Sequence, residues 1–377
     1  MGWVIVNDKF KAIFALMFDI AIVGAGPAGA TLARLIGNRY RVLLVDKRPL
    51  IEGSQTFSAA KCCGGLLAPD AQRMLSELGL GVPGYVLEGP QLFAVRAIDI
   101  QQGLERYYQR HYLNVDRKKF DSWLLSLVPP RVEIRGNCHF TSYSRGNSSF
   151  RIHLRQGDRP YTENVKILVG ADGATSILRP QLASGESFPR KYIAIQEWTE
   201  GNGNLPYFTS MFDRRISDYY CWTIPKSDYL IIGAALDPGA EASGKFNLLK
   251  TVLKDRGIYS GKTVKREGAF IFRPRRMKNL YTGINGTALI GEAAGWISPS
   301  SAEGISYAFK SARVLAEALL IAPEEFEKRY YENTRSLRIN IVLKILKSLV
   351  IFNPSLRKAL MKSGLQCVEP YRSHESA

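Results

Sequence analysis

Cysteine and histidine are scarce in this sequence of 377 residues, and neither forms a pattern that would bind a metal ion. Cys62 and Cys63 are adjacent, but the other three of the five cysteines are scattered, as are the four histidines. No zinc-ligand spacing results, so we expect no metal. The odd number of cysteines argues against a disulfide framework and favours a reducing compartment. We therefore expect a cytoplasmic protein.

Acidic residues are also few, with 34 Asp and Glu against 51 Lys and Arg, which leaves a net charge of +17. Such a charge requires a partner of opposite sign, either nucleic acid or an anionic membrane. The sequence lacks any helix-turn-helix, zinc-finger or RNA-recognition pattern, and its basic residues are spread along the chain. We therefore expect no nucleic acid partner. No catalytic triad, internal repeat or low-complexity segment is present either.

The first feature that is present is a glycine-rich turn after the apolar run Phe18–Val23. A strand, a tight turn and a helix in this order bind a pyrophosphate, because the helix N-terminus offers unpaired N–H groups and glycine lets the phosphates approach. About twenty residues later an aspartate ends a second apolar run, where its carboxylate can accept ribose hydroxyls. The predicted dinucleotide contacts are Gly24, Gly26, Pro27, Ala28, Gly29, Asp46 and Lys47. The alternative is a tight turn that binds no ligand.

Two later glycine motifs distinguish between FAD and NAD. Asp172-Gly173 lies in the middle of the chain, and Gly291-Glu292 lies late, followed by Gly304-Ile305. In this order the motifs resemble those of the para-hydroxybenzoate hydroxylase-type flavoproteins. The resemblance implies that FAD is the cofactor and that Asp172, Gly173, Gly291, Glu292, Gly304 and Ile305 contact it. Glu292 replaces the usual aspartate, so its carboxylate has to reach one methylene further or shift the backbone.

An arginine and a cysteine loop extend this resemblance. Arg117 falls where such proteins place an arginine over the cofactor, and the alternative is an arginine on a solvated helix face. The loop Lys61-Cys62-Cys63-Gly64-Gly65-Leu66-Leu67 is similar to the Lys-x-Cys-Gly-Gly-Gly-Leu loop of geranylgeranyl reductases. Cys63 takes the cysteine position, and Leu66 replaces the third glycine.

A second block is similar to the Pro-x-x-Tyr-x-Trp-x-Phe-Pro motif of the same family. Tyr220, Trp222 and Pro225 match this motif, whereas Ser217 and Ile224 depart from it. Residues 63–73 and 289–308 look closest to the CbrA-type bacterial branch of that family.

The residues of these two blocks suggest chemistry without reference to any family. Gly64 and Gly65 let the backbone approach a flat ligand such as an isoalloxazine ring, so both are predicted cofactor contacts. Tyr220 and Trp222 alternate along an extended segment and face the same side, where they can form one wall of an apolar cavity. The alternatives are that both aromatics are plain sheet core and that Cys63 is a small buried hydrophobe.

The resemblance implies an enzyme that reduces carbon–carbon double bonds of a polyprenyl lipid by hydride transfer from FADH2. Cys63 and Tyr220 are the predicted proton donors, and Trp222 completes the predicted catalytic set. The electron donor is expected to be NADPH or a ferredoxin-like carrier. One alternative is a flavin monooxygenase or halogenase on the same fold. A second is a non-catalytic lipid-binding flavoprotein.

The motif order predicts an α/β fold with a discontinuous, Rossmann-like FAD-binding domain. We assign residues 17–75, 105–190 and 274–330 to that domain. Residues 76–104 and 191–273 form a predicted substrate domain built on an antiparallel sheet. Residues 331–377 form a predicted basic, helical C-terminal segment, and 1–16 are expected to be a non-native leader.

The C-terminal segment carries the sharpest local charge bias. Between Asn333 and Val368 there are seven basic residues and no acidic one. Its apolar part, residues 339–352, is too short to span a bilayer. Our hypothesis is that this helix lies peripherally on the anionic inner face of the membrane. The alternative is a core-packed helix with a solvated basic edge.

Overall fold

The computed structural model of the protein describes residues 17–59, 61–183, 185–201 and 205–369. The predicted leader, residues 1–16, lies outside the described residues. The strands are β1 Phe18–Val23, β2 Val42–Val45, β3 Leu66–Leu67, β4 Leu92–Asp99, β5 Leu104–Asn114, β6 Glu133–Arg135, β7 Cys138–Arg145, β8 Phe150–Gln156, β9 Arg159–Gly170, β10 Arg190–Glu200, β11 Tyr207–Phe212, β12 Cys221–Lys226, β13 Tyr229–Leu236, β14 Thr263–Arg273, β15 Thr287–Leu289 and β16 Cys367–Val368. The α-helices are α1 Pro27–Ile36, α2 Pro69–Glu77, α3 Arg117–Ser126, α4 Leu178–Leu182, α5 Ala242–Asp255, α6 Ile305–Ile321, α7 Phe326–Asn333, α8 Arg335–Phe352 and α9 Pro354–Ser363. The predicted α/β class is confirmed.

The first sheet has the strand order β6-β2-β1-β9-β8-β7, and β15 also pairs with β9. Strands β1 and β15 both run parallel to β9. Val23 lies opposite Gly170, and Gly170 lies opposite Leu289. Three strands from distant parts of the chain therefore end at the same level. The glycine motif that follows each strand emerges at this common edge.

Both faces of the first sheet are covered, which explains why its central strands are apolar throughout. In β1, Ile20 and Ile22 point into a core with helices α1, α3 and α6. Ala21 and Val23 point into a second core that includes residues of β7, β8 and the first half of α8. Full burial of each isoleucine contributes about 1.5–3 kcal/mol to stability.

The second sheet has the order β14-β10-β13-β12-β11-β4-β5-β16, and β3 also pairs with β5. Most of its pairs are antiparallel, as predicted for residues 191–273, although β11 and β4 run parallel. Helix α5 covers one face through Phe246, Leu249 and Leu253. On the opposite face, Trp222 and Ile224 belong to an aromatic and aliphatic cluster.

Two strands of the second sheet correct the predicted domain boundaries. Strand β5 was assigned to the flavin domain, but it pairs with β4 as a hairpin. The turn contains Gly103 with φ +62, which returns the chain directly along β4. The sheet that contains residues 191–273 therefore continues through β5 to Asn114, and the predicted boundary at residue 104 is wrong. The C-terminal segment is also not purely helical, because β16 pairs with β5.

No single helix among the described residues is long and apolar enough to cross a bilayer. The run Pro323–Phe352 reaches that length and composition only together with Pro354–Ser363, and the two are bent by 89° relative to each other.

Candidate functional site

The first glycine motif forms an open turn at the N-terminus of α1. Gly24 has φ +105, and a Cβ there would lie 2.5 Å from the Ala171 carbonyl oxygen. A Cβ on Gly29 would lie 1.8 Å from the Gly24 carbonyl oxygen. A Cβ on Gly26, by contrast, would meet nothing within 4 Å. The turn is thus closed toward the protein and open at Gly26, where the first N–H groups of α1 lack helical partners.

Asp46, at the end of β2, ties this turn to the sheet. Its Oδ2 accepts a hydrogen bond from the Ala25 N–H at 2.8 Å, and its Oδ1 accepts from the Arg48 N–H at 2.8 Å. A carboxylate has about four acceptor positions, and Nε and Nη2 of Arg48 occupy the other two at 3.1 Å. A ribose hydroxyl would therefore have to replace one of the Arg48 contacts. Lys47, a predicted cofactor contact, is exposed. The neighbouring Arg48, which the sequence did not single out, contacts the carboxylates of Asp46 and Asp121.

Arg48 connects Asp46 to a buried ion-pair network. Its Nη1 lies 2.8 Å from Oδ2 of Asp121, and Nε of Arg117 lies 2.8 Å from Oδ1 of the same carboxylate. Burial raises the pKa of Asp121, but the two guanidinium groups outweigh burial and hold that pKa below its ordinary value. Arg117 also interacts electrostatically with the Cys63 side chain. Arg117 therefore lies inside the site and not on a solvated helix face.

The second motif meets the third around Lys61. Gly173 has φ +73, and a Cβ there would lie 3.6 Å from Nζ of Lys61 and 4.0 Å from Oε2 of Glu292. Oδ2 of Asp172 accepts a hydrogen bond from the Ile177 N–H at 2.8 Å. Oδ1 of Asp172 is buried and has no partner among the described atoms. Burial raises the pKa of this carboxyl group.

Glu292 uses its extra methylene to reach away from its own turn. Its Oε1 accepts a hydrogen bond from the Phe272 N–H at 2.8 Å, and its Oε2 lies 3.7 Å from Nζ of Lys61. A Cβ on the preceding Gly291 would lie 3.0 Å from the Cβ of Ala28 in α1. The third motif thus packs on the helix of the first motif.

Gly304 and Ile305 lie at the start of α6, beyond the third motif. The Glu303 carboxylate accepts hydrogen bonds from the N–H and the hydroxyl of Ser306, at 2.8 and 2.7 Å. Burial raises the pKa of Glu303 despite these bonds. Ala302 in the same loop donates its N–H to the Tyr219 hydroxyl at 2.9 Å, which links the loop to the second sheet.

The Cys63-Gly64-Gly65 loop is clamped between two strands. A Cβ on Gly64 would lie 2.2 Å from Cδ1 of Ile224. Gly65 has φ +65, and a Cβ there would lie 2.2 Å from the Val115 carbonyl oxygen. Sγ of Cys63 accepts from the Gly65 N–H at 3.5 Å. The loop therefore requires both glycines and lies directly on the apolar face of β12.

Tyr220 and Trp222 share that face, as predicted, with ring centroids 5.3 Å apart. The Tyr220 hydroxyl donates to the Ser301 carbonyl oxygen at 2.8 Å, and burial raises the pKa of this phenol well above its ordinary value. The Trp222 indole is buried over Gly233, since a Cβ on that glycine would lie 2.2 Å from Cε2 of Trp222. The two aromatic rings form a continuous wall.

The two adjacent cysteines have different surroundings. Cys62 donates to Oε1 of Gln196 at 3.4 Å, and burial raises the pKa of its thiol to about 12. Cys63 instead lies beside the Arg117 guanidinium. Cys63 thus has a buried, permanently charged guanidinium as a neighbour.

Lys226 is a site residue that the sequence did not single out. It is 2% exposed, and its Nζ donates to the Val115 carbonyl oxygen at 2.8 Å. Burial lowers the pKa of the amine to about 8. The alternation of β12 contained the signal, because Lys226 continues the series Tyr220, Trp222 and Ile224 at intervals of two residues.

The combined features fit FAD. The open turn at Gly26 offers N–H groups to a pyrophosphate, and the unpartnered Oδ1 of Asp172 offers an acceptor to a ligand hydroxyl. Among the described residues, no group of three or more His, Cys, Asp or Glu side chains could hold a metal ion.

Comparison with known proteins defines the class first: the chain has the fold of the FAD-dependent oxidoreductases. It superposes on a geranylgeranyl bacteriochlorophyll reductase-like protein from Thermoplasma acidophilum with a TM-score of 0.73 and 17% identity, covering 92% of this chain and 99% of that one. The superposition on the myxobacterial chondrochloren halogenase CndH has a TM-score of 0.70 and 19% identity, and it covers 93% of this chain and 89% of that one. The superposition on the p-nitrophenol 4-monooxygenase PnpA from Pseudomonas putida has a TM-score of 0.68 and 15% identity, and it covers 92% of this chain and 94% of that one.

Sequence comparison then gives the family. No protein-family model matches the chain. The protein CbrA of Escherichia coli O157:H7 is 40% identical over 348 residues, which cover 92% of this chain and 97% of that protein. The protein CbrA of Shigella sonnei gives the same identity and the same coverage. The chain belongs to the CbrA family.

Proposed function

We propose that this protein is a FAD-dependent oxidoreductase that reduces isolated carbon–carbon double bonds of a polyprenyl lipid. The observation that carries the proposal is the packing of the Cys63-Gly64-Gly65 loop on the aromatic face of β12. This packing puts a thiol beside an apolar wall. When bound, reduced FAD supplies the hydride for such a reduction.

Each part of the cofactor has candidate contacts in the chain. The turn at Gly26 and the N-terminus of α1 would hold the pyrophosphate. Asp46 would hold the adenosine ribose by exchanging an Arg48 hydrogen bond for a ribose hydroxyl. Asp172 would accept a hydroxyl at its unpartnered Oδ1. Gly64 and Gly65 would let the backbone approach the ring system.

The apolar wall and the loop suit an unactivated alkene. Such a bond has no carbonyl that could be polarised, so the site has to supply orientation and a proton donor. Tyr220 and Trp222 supply apolar surface for a hydrocarbon chain. The hydride adds to one alkene carbon and a proton adds to the other, which balances the reduction.

Cys63 is better placed than Tyr220 to give that proton. The Tyr220 hydroxyl already donates to Ser301, and burial raises its pKa, so it would lose a hydrogen bond and form a buried phenolate. The Cys63 sulfur accepts from Gly65, which leaves its S–H free to donate. The adjacent Arg117 guanidinium would stabilise the thiolate that remains.

The electron donor is proposed to be NADPH or a ferredoxin-like carrier. The sequence contains no second Gly-x-Gly-x-x-Gly motif, which favours transient binding of NADPH. The net charge of +17 also suits a small acidic electron carrier. Stopped-flow measurement of the rate at which each donor reduces the flavin of the holoprotein distinguishes between the two candidates.

The function is tested by reducing the purified holoprotein without oxygen, adding geranylgeranyl or longer polyprenyl phosphates, and measuring product mass. A gain of two hydrogens supports the proposal. No change without oxygen, followed by addition of one oxygen atom in air, would make the protein a monooxygenase. Substrate binding without any product would make it a lipid-binding flavoprotein.

The proton donor is tested by comparing two neighbouring substitutions. Cys63→Ala is expected to lower the rate of substrate-dependent flavin reoxidation by about 10²–10⁴-fold, with FAD still bound. Cys62→Ala is the matched control and leaves that rate within a few-fold. Equal rates for both variants would exclude Cys63 as the donor.

A further inference from the structure

Helix α8 leaves one long side uncovered. Leu337 and Ile341 pack into the core of the first sheet. On the other side, large apolar side chains are exposed, including Leu343 at 58% and Leu349 at 62%. The members of this apolar stripe are Ile339, Val342, Leu343, Leu346, Leu349 and Val350. With about 3.6 residues per turn they cover about one third of the helix circumference. Continuous exposed apolar surface of this kind marks an interaction site.

Basic residues accompany the stripe. Of the seven basic residues between Asn333 and Val368, Arg357 is buried and paired with Asp99 at 2.8 Å, so its charge is not available at the surface. The other six are Arg335, Arg338, Lys344, Lys347, Lys358 and Lys362, all exposed or partly exposed. The segment contains no acidic residue to offset them.

We propose that α8 docks the protein on the surface of an anionic lipid bilayer. The apolar stripe would enter the boundary between headgroups and acyl chains, and the basic side chains would contact the headgroup phosphates. A second copy of this chain is a poorer occupant, because a symmetric contact would bring the same positive charges together. Nucleic acid would leave the apolar stripe uncovered.

The far end of α8 reaches the aromatic face of the second sheet. Phe352, its last residue, lies 5.0 Å from Tyr219 and 5.9 Å from Phe212 between ring centroids. The Arg273 guanidinium lies 4.3 Å from the Phe352 ring. A lipid leaving the bilayer at α8 would therefore reach the apolar wall with little exposure to water. This route rests on the proposed function, whereas the docking itself does not.

The role of the apolar stripe in docking is tested by co-sedimentation of the FAD-loaded protein with vesicles of equal parts phosphatidylglycerol and phosphatidylcholine. The triple variant Leu343→Gln, Leu346→Gln and Leu349→Gln is expected to lose about a thousandfold in vesicle affinity, since each buried leucine contributes about tenfold or more. The control triple variant places glutamine at Tyr85, Leu248 and Val264, which are exposed elsewhere. It should sediment like the intact protein.

The role of the basic residues in docking is tested with a double variant. Arg335→Gln with Lys347→Gln is expected to weaken binding to the same vesicles by about thirtyfold, because each basic residue near an anionic surface contributes about fivefold. Lys254→Gln with Lys262→Gln, both exposed elsewhere, is the control. Pure phosphatidylcholine vesicles should bind the intact protein weakly.

Three outcomes would overturn the docking. The first is unchanged sedimentation of the leucine triple variant. The second is equal binding of the intact protein to neutral and anionic vesicles. The third is a lipid-free dimer that becomes a monomer in the triple variant, which would assign the stripe to a second copy of the chain. None of these depends on whether polyprenyl lipids are reduced, so the two proposals fail separately.

Discussion

The amine of Lys226 donates a hydrogen bond to the carbonyl oxygen of Val115 over 2.8 Å, inside the protein and beside the loop glycine Gly65. A Cβ on Gly65 would lie 2.8 Å from this amine. A buried lysine is costly unless it is neutral or well paired. The protonation state of Lys226, which lies beside this loop, is therefore expected to change the stability of the protein.

The pH dependence of stability is expected to change in Lys226→Met. Burial lowers the pKa of Lys226 from 10.5 to about 8, so the unfolded chain binds more protons between these values. The contribution of Lys226 to stability is thus complete above about pH 10.5 and is lost as pH falls through about 8. In denaturant unfolding, the free energy of unfolding of the intact protein, relative to that of the variant, should rise by about 3 kcal/mol from pH 8 to 10.5. Parallel pH curves would contradict this assignment.

Gly26→Ala is expected to remove FAD binding selectively. A Cβ fits the protein at this position, since nothing lies within 4 Å and φ is −72°. It would occupy the space proposed for the pyrophosphate and weaken charged hydrogen bonds, so FAD affinity should fall by about tenfold to a hundredfold. Fluorescence titration of the apoprotein with FAD measures this loss.

Two other glycines control the Gly26→Ala experiment. Gly81→Ala also meets nothing within 4 Å and should bind FAD normally. Gly29→Ala should destabilise the fold itself, because its Cβ would lie 1.8 Å from a backbone oxygen. If Gly26→Ala kept full FAD affinity, the turn would not be the pyrophosphate site.

Asp121→Ala is expected to destabilise the protein by about 3–5 kcal/mol, because it leaves the buried Arg117 guanidinium without its carboxylate, while Arg48 keeps only Asp46. Asp121 is 1% exposed and lies 2.8 Å from both Arg48 and Arg117. Denaturant unfolding measures the loss. The control is Glu241→Ala, which breaks an exposed pair with Lys245 and should leave stability unchanged. Similar effects of the two substitutions would refute the role of the network.

Gly233→Ala is expected to displace the Trp222 indole, since the new Cβ would lie 2.2 Å from Cε2 of that ring. Such overpacking costs about 1–3 kcal/mol. Tryptophan fluorescence should shift, and the KM for a polyprenyl substrate should rise while FAD affinity is unchanged. Gly268→Ala, whose Cβ would lie 3.4 Å from the nearest oxygen, is the control. A normal KM with a displaced indole would remove Trp222 from the substrate wall.

Several features could be predicted from the sequence because they are governed by local geometry. Glycines at positive φ, such as Gly24 and Gly173, mark turns that other residues adopt with strain. The alternation of Tyr220 and Trp222 places both rings on one face of a strand. The order of the motifs along the chain predicted that three strands end together.

Other features depend on which distant residues meet, and only the tertiary structure decides this. Arg357 was counted among the basic surface residues, but Asp99 neutralises it inside the protein. Strand β5 joined the second sheet because a hairpin pairs it with β4.

The ion pairing of Arg117 and the burial of Lys226 are also decided only by the tertiary structure. Charge and burial depend on neighbours that lie far apart in sequence, and a single sequence contains no distances between them. Turn propensity and strand periodicity involve only residues adjacent along the chain, which is why the glycine motifs could be recognised before the fold was known. Arg117 was predicted from a resemblance, but its pairing with Asp121 and the burial of Lys226 could not be predicted.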